Sequence, residues 1–385
     1  MIMVQRSAWF RLFHVARRRL RPACVFGFAI LASQAVLLAS SGCSGGGEAP
    51  CDPAVDVCDE TGGSGNTGTA GGPVGSTSTT GTGGSTGSGG APIADAARPF
   101  EGRIVGYLPT WVGAFDSWAR DLPWTRMSHL NIAFATPSGS SFTLGTNQSA
   151  ANLVAAAHAA GVKIMIAIGG AKGSDQIASL YTPGSVDAFV NNLVTYIDAQ
   201  GFDGVDVDVE GNAVNGNYGP FIDKVVAKLR PKGKLVTAAV AQWYGNNISN
   251  ATYGQFDFLN VMAYDHCGTW TSPCEHSTYQ AAVDELTFFK SRAPVNKLVL
   301  GIPFYGYCWG TGCSAGTLPY LQIAVQYPGA NDWIQMGGLT ISYNSPATVL
   351  KKTQLARTYG GLMAWELTQD AAGTVSLLKT MAENL

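Results

Sequence analysis

From Arg98 to Leu385 the chain repeats one pattern eight times: a short run rich in apolar and β-branched residues, then a stretch suited to a helix. The runs are Arg103–Leu108, His129–Ala135, Lys163–Gly170, Gly204–Glu210, Lys234–Ala241, Phe258–Tyr264, Lys297–Phe304 and Gly360–Glu366. Segments such as "SAANLVAAAHAAG", "SVDAFVNNLVTYIDAQG" and "YGPFIDKVVAKLR" lie between them. Eight strand–helix repeats over roughly 290 residues predict an α/β fold of the (β/α)8 barrel type. An open doubly wound sheet would place a Gly-rich phosphate turn after its first strand. The segment found there, "YLPTWVGAF", is aromatic instead.

The residues before this repeat have another character. Met1–Gly42 carries six arginines and no acid, followed by the apolar run "ACVFGFAILASQAVLLAS". A basic start, an apolar core and a small-residue boundary predict a secretory signal over 1–42. "LASSGC" then resembles the cleavage box of bacterial lipoproteins, with Ser40 where that pattern has Leu, and offers Cys43 as a lipid attachment site. The protein is therefore expected to be exported, either anchored to a membrane through Cys43 or free outside the cell. From 43 to 98 the chain is Gly, Ser and Thr with little to bury, which predicts a flexible linker. Taking about 40 residues of it, the root-mean-square reach is about 35 Å.

Residues 99–385 form the expected catalytic domain. Removing six arginines from a formal charge of −2 leaves −8, an acidic balance without a basic cluster, which excludes a nucleic-acid partner. Three close cysteine pairs, Cys51 with Cys58, Cys267 with Cys274 and Cys308 with Cys313, predict local disulfides in an oxidising compartment. None has C-x-x-C spacing, so neither zinc nor any other metal or cofactor is expected. The chain is expected to act as a monomer.

The fourth run, "GVDVDVE", carries the chemistry. Side chains alternate along a strand, so Val205, Val207 and Val209 share one face while Asp206, Asp208 and Glu210 share the other, successive acids roughly 6.6 Å apart. In a barrel the valines pack against helices and the acids point inward, toward the end where such folds keep their active sites. Three acids in a poorly solvated interior cannot all ionise freely, so at least one must hold its proton. A held proton makes a general acid near neutral pH, and Glu210, outermost and longest, is the candidate. A calcium loop would not alternate carboxylates with valines.

"DGVDVDVE" resembles the DGxDxDxE signature of glycoside hydrolase family 18, the chitinase family of (β/α)8 barrels. "VMAYD" (Val261–Asp265) is similar to its sixth-strand Met-x-Tyr-Asp, and "LMAWE" (Leu362–Glu366) to its eighth strand, whose tryptophan, here Trp365, floors the sugar subsite at the cleavage point. "AIGG" (Ala167–Gly170) corresponds to the third-strand SxGG, with Ala167 in place of the serine. That change implies one hydrogen bond fewer to Asp206. The resemblance further implies that Glu210 protonates the glycosidic oxygen, that the sugar's 2-acetamido carbonyl attacks the anomeric carbon, that Asp208 orients this group, and that Asp206 modulates Asp208. Tyr264 and Asp265 would hold the acetamido group from the far side. Met262, Tyr107, Phe134 and Gln242 complete the expected substrate-binding set.

Trp111, Trp243, Trp270, Trp309 and Trp365 follow or end strands one, five, six, seven and eight, where flat indoles can stack on pyranose rings. Only about fifty residues separate strands seven and eight. That length reads as too short for the extra α+β domain of some relatives and predicts an open groove. The expected substrate is chitin or another N-acetylglucosamine-containing polysaccharide. An endo-β-N-acetylglucosaminidase acting on N-glycans or peptidoglycan, or an inactive chitin-binding barrel, remain the alternatives.

Overall fold

The computed structural model describes residues 102–145 and 148–385. The expected signal and linker, with Cys43, Cys51 and Cys58, lie outside the described residues. Strands β1 (Arg103–Pro109) and β2 (His129–Ser138) come first, and β3 (Ser141–Leu144) folds back on β2 as a hairpin. Then follow β4 (Lys163–Gly169), β5 (Gly204–Asp208), β6 (Leu235–Val240), β7 (Leu259–Val261) and β8 (Leu298–Pro303). After β9 (Tyr305–Gly310), β10 (Thr317–Pro319), β11 (Trp333–Met336) and β12 (Leu339–Ser342), the last strand is β13 (Gly361–Trp365).

β1, β2, β4, β5, β6, β7, β8 and β13 pair in parallel in that order, and β13 pairs again with β1, which closes the barrel. Helices return the chain between successive strands, as the repeat predicted. In Val186–Gln200, for example, Phe189, Val190, Leu193, Val194 and Ile197 make one buried stripe, Asp187 sits in the first turn, and Gly201 ends the helix at φ 78°.

The barrel carries two apolar layers. Val205, Val207 and Val209 belong to the outer layer between strands and helices, each burial worth roughly 1.5–3 kcal/mol. Val105, Tyr107, Ala133, Met165, Ala167, Phe258, Val299 and Met363 fill the inside. The expected alternation on the fourth barrel strand is therefore present. Gly204, at its start, is demanded by space: a Cβ there would sit 2.1 Å from the Leu235 carbonyl oxygen. No helix among the described residues is long and apolar enough to cross a membrane.

One expectation is overturned. The segment between β8 and β13 does carry a small α+β insertion: β10, β9, β12 and β11 form a four-stranded antiparallel sheet with the helix Tyr320–Gln326. It fits because its strands are only three to six residues long and are joined by tight turns at positive-φ glycines such as Gly310, Gly337 and Gly338. The Cys267–Cys274 and Cys308–Cys313 disulfides are formed, with Cα separations of 6.4 and 5.6 Å. The first closes the loop after β7 and the second staples the turn after β9. Trp309 on β9 donates from Nε1 to the carbonyls of Gly268 (3.3 Å) and Thr271 (3.2 Å), which ties the insertion to that loop.

Candidate active site

β5 delivers Asp206 and Asp208 to the barrel interior, both buried. Glu210 lies two residues past the strand but keeps an extended backbone (φ −118°, ψ 155°), so the alternation continues through it. The helix Gly170–Leu180 holds this end in place: Ser174 Oγ accepts from the Glu210 amide (2.9 Å) and donates to the Gly170 carbonyl (2.8 Å). Gly169, at φ 108°, lets that helix start beside the strand, because a Cβ there would meet the Asp208 carbonyl oxygen at 2.1 Å. The fourth carboxylate of the stretch, Asp203, stands apart. It binds Lys163 Nζ (3.0 Å), His158 Nε2 (2.9 Å) and the Ile164 amide (2.9 Å), and is a structural anchor.

The three inner acids differ in their surroundings. Asp206 receives Tyr107 OH on Oδ2 (2.5 Å) and both Thr237 Oγ1 (2.5 Å) and Asn260 Nδ2 (3.1 Å) on Oδ1. Burial pushes its pKa up and these three donors pull it back. Ala167 supplies no bond to Asp206, as expected, and its three donors come from β1, β6 and β7. Asp208 has an oxygen, Oδ1, that is buried without a partner. Burial first, then the charges of Glu210 and Asp206, hold its pKa well above the usual carboxylate range. Burial, and secondarily the charge of Asp265, raises Glu210 from 4.5 to about 7.

Beyond β7 the chain turns sharply. Asp265 adopts a left-handed backbone (φ 59°), and its Oδ1 accepts from Tyr305 OH on β9. Tyr264, expected at the end of a longer strand, lies past β7 with its hydroxyl 3.9 Å from Met363 Sδ. Met262 packs against both apolar layers. Trp365 ends β13 with its indole 5.3 Å from the Tyr107 ring and 5.9 Å from Phe134. Trp111 stacks on Phe134 at 6.3 Å, so the four rings make one continuous wall. Trp111, Trp243 and Trp270 are 60%, 73% and 64% exposed, unusual for so large an apolar ring. Gln242 is exposed, and its backbone N–H donates to Glu285 Oε2 (3.1 Å). Reading the sequence did not find Ser174, Thr237, Asn260, Tyr305 or Glu285. Their signal is tertiary, since each reaches the site from an element distant in the chain.

A closed parallel barrel with a carboxylate ladder at one strand end, beside a wall of aromatic rings, is the layout of a glycoside-hydrolase barrel. The sequence profile of glycosyl hydrolases family 18 matches residues 103–370, and the chain belongs to that family. It is 24% identical over 349 residues to "Probable chitinase 10" of Drosophila melanogaster, covering 70% of this chain and 15% of that protein. The chain also spans only 35% and 41% of two other curated relatives, a chitinase-like mite allergen of Dermatophagoides farinae and chitinase A1 of Niallia circulans. Among solved structures, the GH18 chitinase ChiB from the chitin utilization locus of Flavobacterium johnsoniae superposes with a TM-score of 0.66 at 30% identity. That match covers 74% of this chain and 94% of the other.

Proposed function

We propose that the barrel hydrolyses β-1,4 bonds in chitin or a related N-acetylglucosamine-containing polysaccharide by a retaining, substrate-assisted mechanism. The observation that carries this reading is the unpartnered Oδ1 of Asp208, a buried acceptor between two other acids. An acetamido N–H is the donor it lacks. Glu210 gives its proton to the glycosidic oxygen as the C1–O bond breaks. The acetamido carbonyl oxygen bonds to C1, and the resulting oxazolinium cation is stabilised by Asp208 through its N–H. Water then attacks C1, Glu210 takes back a proton, and the oxazolinium ring opens with β configuration retained. Two inversions at one carbon account for the stereochemistry. Trp365 floors the subsite, with Tyr107 and Phe134 beside it and Met262 beneath, while Tyr264 and Asp265 meet the acetamido group from the far side. Gln242 and the exposed indoles extend the groove.

The similarity to chitinases supports chitin as the substrate class. One solved relative, a class V chitinase of Nicotiana tobaccum that is 22% identical, is described in complex with NAG4. Reducing-end release from colloidal chitin, a glycoprotein and peptidoglycan in parallel is the test. Activity on chitin alone is the expected result. Release only from the glycoprotein or peptidoglycan would move the substrate, and no release with retained chitin binding would make the barrel a lectin. Proton NMR of fresh product should show the β anomer first.

The first 98 residues complete the reading: with a signal over 1–42, acylation of Cys43 and a linker to 98, the enzyme works outside the cytoplasm on a membrane. If Cys43→Ser leaves partition into detergent unchanged, the protein is secreted free.

A further inference from the structure

His276 is a buried imidazole to which the catalytic reading gives no task. It is fully enclosed between Tyr305 and Tyr307, with ring centroids at 5.3 and 5.1 Å. Neither ring nitrogen has a hydrogen-bond partner. Buried polar atoms are rarely left unpaired, so the position calls for a physical reason. Its Nδ1 lies 3.5 Å from Asp265 Oδ1, close but misaligned for a hydrogen bond. Such contacts between functional groups commonly tighten when substrate is bound. Among the described residues no lysine or arginine pairs with Asp265, so its carboxylate is held by the hydroxyls of Tyr305 and Tyr307, with His276 beside them.

The ring is fixed from behind. The His276 amide donates to Ser342 Oγ on β12 (3.3 Å), and its carbonyl accepts from the His266 amide (3.1 Å). The next residue, Ser277, is gripped by the buried Lys352, whose Nζ lies 2.7 Å from Ser277 Oγ and 2.8 Å from its carbonyl oxygen. Ser277 Oγ in turn donates to the Ala263 carbonyl (2.7 Å), two residues before Asp265. The Asp265 side chain, by contrast, is 43% exposed. A fixed donor beside a freer carboxylate is an orienting device.

We propose that His276 is a positioning residue for Asp265: its Nδ1–H donates to Oδ1 and fixes the carboxylate where it meets the acetamido group and faces Glu210. This rests on the proposed reading of Asp265 as an acetamido ligand. The groups facing the pair are Tyr264 and His266 on either side of Asp265, Tyr305 and Tyr307 from β9, Lys352 through Ser277 from the helix Pro346–Ala356, and Glu210 beyond β5. A donor on Oδ1 draws negative charge away from Glu210. Without it, Asp265 presses harder on Glu210, which then keeps its proton to higher pH.

The test measures kcat and KM against pH on a chromogenic N-acetylglucosamine oligomer with the full chain. His276→Phe keeps a ring between the two tyrosines but no donor. It should move the alkaline limb of kcat/KM up by roughly half a pH unit and raise KM roughly tenfold. His276→Asn places an amide nitrogen where Nδ1 sits and should restore both readings, while His276→Gln, whose amide falls at the Nε2 position, should not. If the Phe variant does not fold, the Asn and Gln pair decides. Equal behaviour of Asn and Gln, or a Phe variant matching the native enzyme, overturns the proposal. Asp265→Asn separates the two readings, because removing the charge should move the alkaline limb down. If that limb stays put, the reading of Asp265 itself fails. If it moves while His276→Phe changes nothing, only the role of His276 is lost.

Discussion

Replacing Glu210 with Gln should stabilise the barrel, and only where the native carboxyl is forced to ionise. Burial and the charge of Asp265 lift Glu210 from 4.5 to about 7. The folded protein therefore binds that proton more tightly than the unfolded chain does. The associated stability is whole below pH 4.5 and drains away as pH rises to about 7, after which the loss is constant. The rise from 4.5 to about 7, at 1.36 kcal/mol for each tenfold change in proton affinity, sets the loss at about 3 kcal/mol. Gln has the same shape and no proton to lose, so Glu210→Gln escapes this penalty. In a domain of this size that difference corresponds to a melting-temperature gain of roughly 6 °C. Thermal unfolding of both proteins near pH 5 and near pH 8.5 reads it directly. The gain should be small at the acidic pH and near its full value at the alkaline one. A difference between variant and native protein that is the same at both pH values would refute the reasoning. The same variant should lose at least 10²–10⁴-fold in turnover, the usual contribution of a general acid–base group.

Tyr107→Phe removes a 2.5 Å donor from the buried Asp206 and a 3.0 Å acceptor from Asn260. It should destabilise by roughly 1.5–3 kcal/mol in urea titrations, as for bonds to charged groups, and slow turnover through the altered charge on Asp208; an unchanged midpoint would argue that Thr237 and Asn260 suffice. Gly211 sits at φ 61° with the Trp243 ring 2.7 Å from where a Cβ would lie. Gly211→Ala should displace that indole and weaken oligosaccharide binding by calorimetry, with the alkaline limb of the pH profile left in place. Peptides containing Cys267, Cys274, Cys308 and Cys313 should resist alkylation until reduced, because each of these sulfurs is bonded to its partner in the Cys267–Cys274 and Cys308–Cys313 disulfides; ready labelling of any of them in the native protein would contradict the pairing.

Much of the barrel was legible because its signal is local. Period-two alternation in "GVDVDVE" can satisfy two different faces only if one is apolar and one polar, which is the condition inside a barrel wall. The end of β7 was less legible. Met262–Tyr264 continue the apolar pattern, yet the pairing stops at Val261 and Asp265 soon turns into the left-handed region. The insertion escaped notice for a related reason. β10, β11 and β12 hold three or four residues each, too few for a period to emerge, and they are stable only because they pair within the small sheet built on β9. Ser174, Thr237 and Asn260 contact the carboxylate strand from 36, 31 and 54 residues away. No spacing rule connects such residues before the chain is folded.

Ala167 shows where motif reasoning stops and geometry takes over. A serine replaced by alanine implies a weaker hold on Asp206, and Ala167 indeed lies in the apolar layer inside the barrel. Yet Asp206 is held by a tyrosine, a threonine and an asparagine from β1, β6 and β7. Three donors favour its anion, and that anion in turn raises Asp208. The ladder is therefore graded by what each acid touches. The innermost is surrounded by donors, the middle one has a buried oxygen with none, and the outermost faces another negative charge across the groove. Protons are pushed toward the middle and outer positions, where a glycosidic oxygen and an acetamido group would meet them. Ala167 stands where the family's motif has serine, but the gradient does not depend on which strand supplies the donors.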